Sequence, residues 1–213
     1  MDKQTEKYKI AVLASGRGSN LQAIIDYIAI NPDSLIEIAL VASDQPGAQA
    51  LSRAEAAGIP TLVLIPGDYP GKAAYEQSLA GRIKEAGVEL VVLAGFMRML
   101  SPVFLEIFTN RVVNIHPSLL PAFVGLEAQK QAFRYGVKVS GCTVHFVDIG
   151  MDSGPIIAQQ VVPVLDDDDP ESLAGRILEQ EHILYPRVIE WLARGRVQLE
   201  GRRVRIKRLG DQI

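Results

Sequence analysis

The chain has 213 residues, 48% hydrophobic and 22% charged, enough to bury the core of one large α/β domain. Its net charge of -3 leaves no basic surplus for nucleic acid or an anionic membrane, so any phosphate contact must be local. A single cysteine, Cys142, excludes an intrachain disulfide and a cysteine-rich metal site and suits a reducing cytoplasm.

Met1 to Lys9 is polar and mixed in charge, which does not read as a signal peptide, and no apolar run is long enough to span a membrane. Tyr8 to Ala14 is a short apolar run rich in strand formers, ending in Ser15-Gly16-Arg17-Gly18-Ser19-Asn20. Leu21 to Ile28 follows with helical apolar spacing. Strand, glycine-rich loop and helix N-terminus together suit a phosphate, with Ser15 and Ser19 as hydroxyl donors. A tight strand-to-helix turn with Asn20 near the cap is the other reading. Leu21 stands where a dinucleotide fingerprint needs its third glycine, and no Gly-Lys-Ser/Thr follows for a triphosphate loop.

Strands are expected at Leu35 to Ala42, Pro60 to Ile65 and Leu90 to Ala94, the last uniformly apolar as in a parallel strand covered on both faces. Helices alternate with them at Ala48 to Ala57 and Tyr75 to Ala86, with Gly58 and Gly87 as stops. This alternation predicts a single-domain, doubly wound α/β fold with right-handed crossovers and a mostly parallel sheet carrying an antiparallel C-terminal edge, over residues 1–213. Gly95 to Leu100 is a loop whose Phe96, Met97 and Leu100 read as core or as the wall of a flat ligand site. Ser101-Pro102 opens another helix.

Val112 to His116 organises the chain. As a strand it sets Asn114 and His116 on one side, an amide donor beside a titratable ring, and Pro117 then stops the pairing. Open α/β sheets place ligands at such carboxyl ends, although a histidine there also serves as a plain structural residue. Ala128 to Tyr135 reads as a helix. Val139 to Val147 reads as a strand with Cys142, Val144 and Phe146 on one face and Thr143, His145 and Val147 on the other. A mid-strand thiol such as Cys142 reads as inert filler, not a nucleophile. The loop Asp148 to Pro155 carries two carboxylates and two glycines, which can bring Asp152 back toward the strand ends to orient or charge His116, a pairing that spacing alone does not establish.

Ile156 to Val164 is a further strand. Asp166-Asp167-Asp168-Asp169 suggests a metal cluster, but Asp169-Pro170-Glu171 is a helix start, so a solvated cap is expected instead. A long helix runs to Arg194, and the basic, alternating stretch from Arg196 to Ile213 reads as an antiparallel edge hairpin around Glu200-Gly201.

In order, Ser15 to Leu21, Leu93 to Arg98, Asn114 to Pro121, Asp152 to Pro155 and Glu181-His182-Ile183-Leu184-Tyr185-Pro186 make the chain resemble the phosphoribosylglycinamide formyltransferases, from Tyr8 to about Leu199. The resemblance implies transfer of a formyl group from the co-substrate 10-formyltetrahydrofolate to the amine of phosphoribosylglycinamide in purine synthesis, with no metal. It implies Asn114, His116 and Asp152 as catalytic residues. Gly18, Ser19, Asn20, Pro117 and Glu181 are implied to hold the ribonucleotide, and Met97, Arg98, Leu100, Val147 and Asp148 the pterin. Val124-Gly125 replaces the family's Pro-Gly, Glu127 is unusual after it, and Leu178 replaces a residue that is polar in some members. Formyltetrahydrofolate hydrolases, methionyl-tRNA formyltransferases and a non-catalytic folate or nucleotide-binding module are the rivals. The expected protein is cytoplasmic, a monomer or homodimer, with small-molecule partners only.

Overall fold

The computed structural model describes residues 6–207. Nine strands and six α-helices are placed: β1 Tyr8–Leu13, α1 Ser19–Ile30, β2 Ile36–Ser43, α2 Gln49–Ala56, β3 Thr61–Val63, α3 Lys72–Glu85, β4 Leu90–Leu93, α4 Pro102–Ile107, β5 Val112–His116, α5 Ala128–Tyr135, β6 Val139–Phe146, β7 Ile156–Pro163, α6 Pro170–Ala193, β8 Val197–Glu200 and β9 Arg203–Ile206. The larger sheet has the order β3-β2-β1-β4-β5-β6-β7, parallel at β1 with β2 and β4 and antiparallel at β6 with β7. The α/β class and the antiparallel C-terminal edge are as expected. Among the described residues no helix is long and apolar enough to cross a membrane.

The described residues form two compact units, 6–113 and 114–207. In the first, β1 lies between β2 and β4, and Ile10, Val12, Leu13, Val91 and Val92 are fully buried. That explains the uniformly apolar runs: a strand with covered faces has no solvent side on which to place a polar residue. Each such aliphatic side chain contributes about 1.5–3 kcal/mol on burial. In the second unit β6 and β7 form an antiparallel pair, and α6 packs on both through Leu173, Ile177, Tyr185, Val188 and Ile189.

Several boundaries differ from expectation, α1 among them, which runs Ser19–Ile30 where Leu21 to Ile28 was expected. β3 ends at Val63, because Pro66 begins a 3-10 turn over Pro66–Asp68. α3 starts at Lys72, one turn before Tyr75: its first residues are largely solvent-facing, so the apolar period shows only from Tyr75 onward. The expected antiparallel hairpin around Glu200-Gly201 forms, β8 with β9, but as a two-stranded sheet of its own and not as an edge of the larger sheet. Arg208 to Ile213, the rest of that expected tail, lies outside the described residues.

The acidic run is cap chemistry. Asp169 caps α6 by accepting from the Ser172 amide at 2.7 Å, and the Ser172 hydroxyl oxygen accepts in turn from the Asp169 amide at 2.9 Å. Asp168 takes both terminal nitrogens of Arg176 at 2.7 Å, and that guanidinium holds its carboxyl well below the ordinary range.

Candidate active site

In the first unit the glycine-rich loop is held by its carbonyls. Gly16 O accepts from Ala50 N at 3.1 Å, Arg17 O from Arg53 Nε at 2.8 Å and Gly18 O from Gln22 N at 2.9 Å. A trans peptide points its N–H opposite to its carbonyl, so the amides of Arg17, Gly18 and Ser19 are turned away from these partners at the start of a twelve-residue helix. The N-cap is Gly18 itself, not Asn20, which lies buried one residue inside the helix. Gly18 has φ 69°, and a Cβ there would stand 2.7 Å from Ala50 Cα. Its glycine identity therefore has a packing cause. Ser15 Oγ accepts from Met97 N at 3.0 Å, so this hydroxyl braces the 95–97 loop.

On that second loop Met97 is exposed, Arg98 is half-buried with its guanidinium 5.4 Å from the Tyr75 ring centre, and Leu100 is core. Glu76 is buried and accepts from both the amide and the hydroxyl of Ser101, the N-cap of α4. These contacts fix where the loop ends.

The second unit brings the polar trio together. His116 is buried, and its Nδ1 lies 3.3 Å from Asp152 Oδ2. Its Nε2 lies 2.8 Å from the Phe123 carbonyl. Both ring nitrogens thus face oxygens, Nε2 donating to the Phe123 carbonyl and Nδ1 turned to the Asp152 carboxyl. Asp152 has φ 49°, a left-handed conformation that aspartate tolerates better than most residues, and its Oδ2 also accepts from Gly125 N at 2.8 Å.

Asn114 Nδ2 lies 3.3 Å from His145 Nε2, while His145 Nδ1 donates to the Phe146 carbonyl at 2.8 Å. Burial, working against the nearby carbonyl and carboxylates, pushes the His145 pKa below its ordinary value, so the ring is neutral. Nδ1 then carries the hydrogen and Nε2 accepts from Asn114, which orients the amide. The 3.8 Å approach of His145 Nε2 to Asp152 Oδ1 is accordingly not an ion pair. Three residues that matter here escaped sequence reasoning. His145 had a signal, a polar ring on the same strand face as Thr143. Phe123 and Gly125 act through backbone atoms, which side-chain identity does not announce.

Asp148 closes its own loop, accepting from Gly150 N at 3.1 Å and Ser153 Oγ at 2.6 Å. A Cβ on Gly154 would stand 1.8 Å from the Phe146 carbonyl, so glycine is required for the loop to return to the strand end. Pro117 and Val147 are half-buried, and Glu181 is buried on α6. Burial, with the Glu181 charge nearby, pushes the Cys142 thiol up to about 12, which leaves it inert as expected. Glu127 is the left-handed N-cap of α5, paired with Lys130 at 2.6 Å.

The profile of the formyl transferase family matches residues 8–189. The phosphoribosylglycinamide formyltransferase of Bacillus subtilis is 46% identical over 185 residues, covering 86% of this chain and 94% of that one. The trifunctional purine biosynthetic protein adenosine-3 of Drosophila melanogaster is 49% identical over 188 residues, 88% of this chain, but this chain spans only 14% of it. Among solved structures, glycinamide ribonucleotide transformylase 1 of Symbiobacterium toebii superposes with a TM-score of 0.91 at 51% identity, covering 95% of each chain. With its fold and its matched span agreeing over most of its length, the chain belongs to the formyl transferase family.

Proposed function

We propose that this protein transfers the formyl group of 10-formyltetrahydrofolate to the amine of phosphoribosylglycinamide, a step of purine biosynthesis, within one formyltransferase domain. The observation that carries the reading is the paired geometry of the second unit: Asn114 oriented by neutral His145, and His116 held 3.3 Å from Asp152. The likeness to relatives named for this reaction supports it.

The amine nitrogen attacks the formyl carbon, and the carbonyl electron pair moves onto oxygen. One Asn114 amide hydrogen is committed to His145, which leaves the other to donate to that oxyanion. His116 Nε2 donates to a neutral carbonyl in the resting protein. A full oxyanion is a stronger acceptor than Phe123 O and competes for the same hydrogen. Asp152 remains the counter-charge throughout. Collapse breaks the bond from carbon to the folate nitrogen, the amine loses a proton, and the folate nitrogen gains one, with His116 as the relay. Groups already placed need no reorganisation as charge develops.

Gly18, Ser19 and Asn20 take the ribose phosphate through the amides of the loop, and Glu181 and Pro117 contact the ribonucleotide. Met97, Arg98, Val147 and the Asp148 to Asp152 loop take the pterin, with Leu100 supporting them from the core. Release of deformylated folate, followed spectrophotometrically with and without phosphoribosylglycinamide, tests the proposal. Release that requires the ribonucleotide is the expected result. Release without it identifies a hydrolase, and no release in either case leaves a binding module.

A further inference from the structure

We infer that Gln131 is a positioning residue for the catalytic pair, acting through the 123–127 loop; this rests on the formyl-transfer reading above. The loop touches both partners with backbone atoms: the Phe123 carbonyl takes His116 Nε2, and the Gly125 amide donates to Asp152 Oδ2, each at 2.8 Å. Its conformation is an unfavourable one. Phe123, Gly125 and Glu127 all have positive φ, 54°, 78° and 57°, and for a bulky residue such as Phe123 that region is sparsely populated. A strained segment persists only where other contacts over-determine it.

Gln131 supplies such contacts. From the second turn of α5 its Nε2 donates to Val124 O at 3.1 Å and Leu126 O at 2.8 Å, the carbonyls on either side of Gly125. One amide group therefore fixes the Val124–Gly125 peptide, whose N–H holds Asp152, and the Leu126–Glu127 peptide that follows it. The Phe123 and Tyr135 rings, 5.8 Å apart, fasten the other end of the loop to α5. Without the Gln131 donors the loop relaxes away from left-handed backbone, and His116 and Asp152 lose two of the bonds that align them.

Gln131→Glu keeps the shape and removes the donors, setting a carboxylate against two carbonyl oxygens. The expected result is a kcat lower by about tenfold with KM for both substrates within about threefold, since the loop's bonds reach the catalytic pair. Gln131→Lys, which restores a donor, recovers most of the loss. With 15N-labelled histidine, the His116 Nε2 resonance, assigned by its disappearance in His116→Gln, shifts in Gln131→Glu and returns in Gln131→Lys. An unshifted His116 resonance overturns the inference whatever the activity, and so does a wild-type kcat in Gln131→Glu. If the unmodified protein transfers no formyl group, the functional reading fails while the resonance still decides the role of Gln131.

Discussion

Asp152→Asn separates charge from geometry at the centre of the site. Asp152 Oδ2 is the oxygen that accepts from Gly125 N and faces His116 Nδ1, so an asparagine can leave its carbonyl oxygen there and turn its NH2 toward His145 Nε2, 3.8 Å from the present Oδ1. What disappears is the negative charge 3.3 Å from the His116 ring. For the imidazolium that His116 becomes on taking a proton as relay, the attraction at that distance and an effective dielectric constant of 20 is about 5 kcal/mol before desolvation is subtracted. The part expressed as the transition-state charge develops corresponds to a kcat loss of about 10²- to 10⁴-fold. The assay is ribonucleotide-dependent release of deformylated folate, with thermal unfolding measured alongside to show an intact fold. A variant that melts like its parent and turns over within about threefold of it would refute the role of the Asp152 charge.

Gly154→Ala places a Cβ 1.8 Å from the Phe146 carbonyl and is expected to cost about 2–3 kcal/mol in a denaturation curve. Gly16→Ala, which meets nothing within 4 Å, should stay within about 0.5 kcal/mol by the same measurement. Because burial lowers the folded-state pKa of His145, the unfolded chain binds more protons between the folded and unfolded values. That contribution is complete above about pH 6.5 and is lost as pH falls below it; His145→Gln should flatten this part of a stability-against-pH curve. Arg202 Nη2 donates to the Ser153 carbonyl at 2.6 Å, next to Asp152. Arg202→Ala should lower kcat about two- to fivefold with little change in melting temperature, and an unchanged kcat would show that the Asp152 loop stands without it.

The alternation of apolar runs with amphipathic stretches determined the α/β class and the place of nearly every element, because buried parallel strands and half-buried helices impose different apolar periods on a chain. Period two along β5 already set Asn114 and His116 on one side, and Asp169-Pro170-Glu171 declared the start of α6 through cap chemistry that is local. The partners of those polar residues were a different matter. That Asp152 takes left-handed backbone and accepts from Gly125, that His145 holds Asn114, and that Phe123 meets His116 through its carbonyl all depend on the chain folding back across 7 to 31 residues. The same holds for the boundaries that moved. The exposed first turn of α3 has no apolar signature, and while alternation and a turn marked the β8–β9 hairpin, whether it joins the larger sheet depends on backbone pairing that the pattern does not carry. Periodicity reports which faces are buried; which backbone atoms meet is decided only when the chain has folded, since every residue carries the same amide and carbonyl.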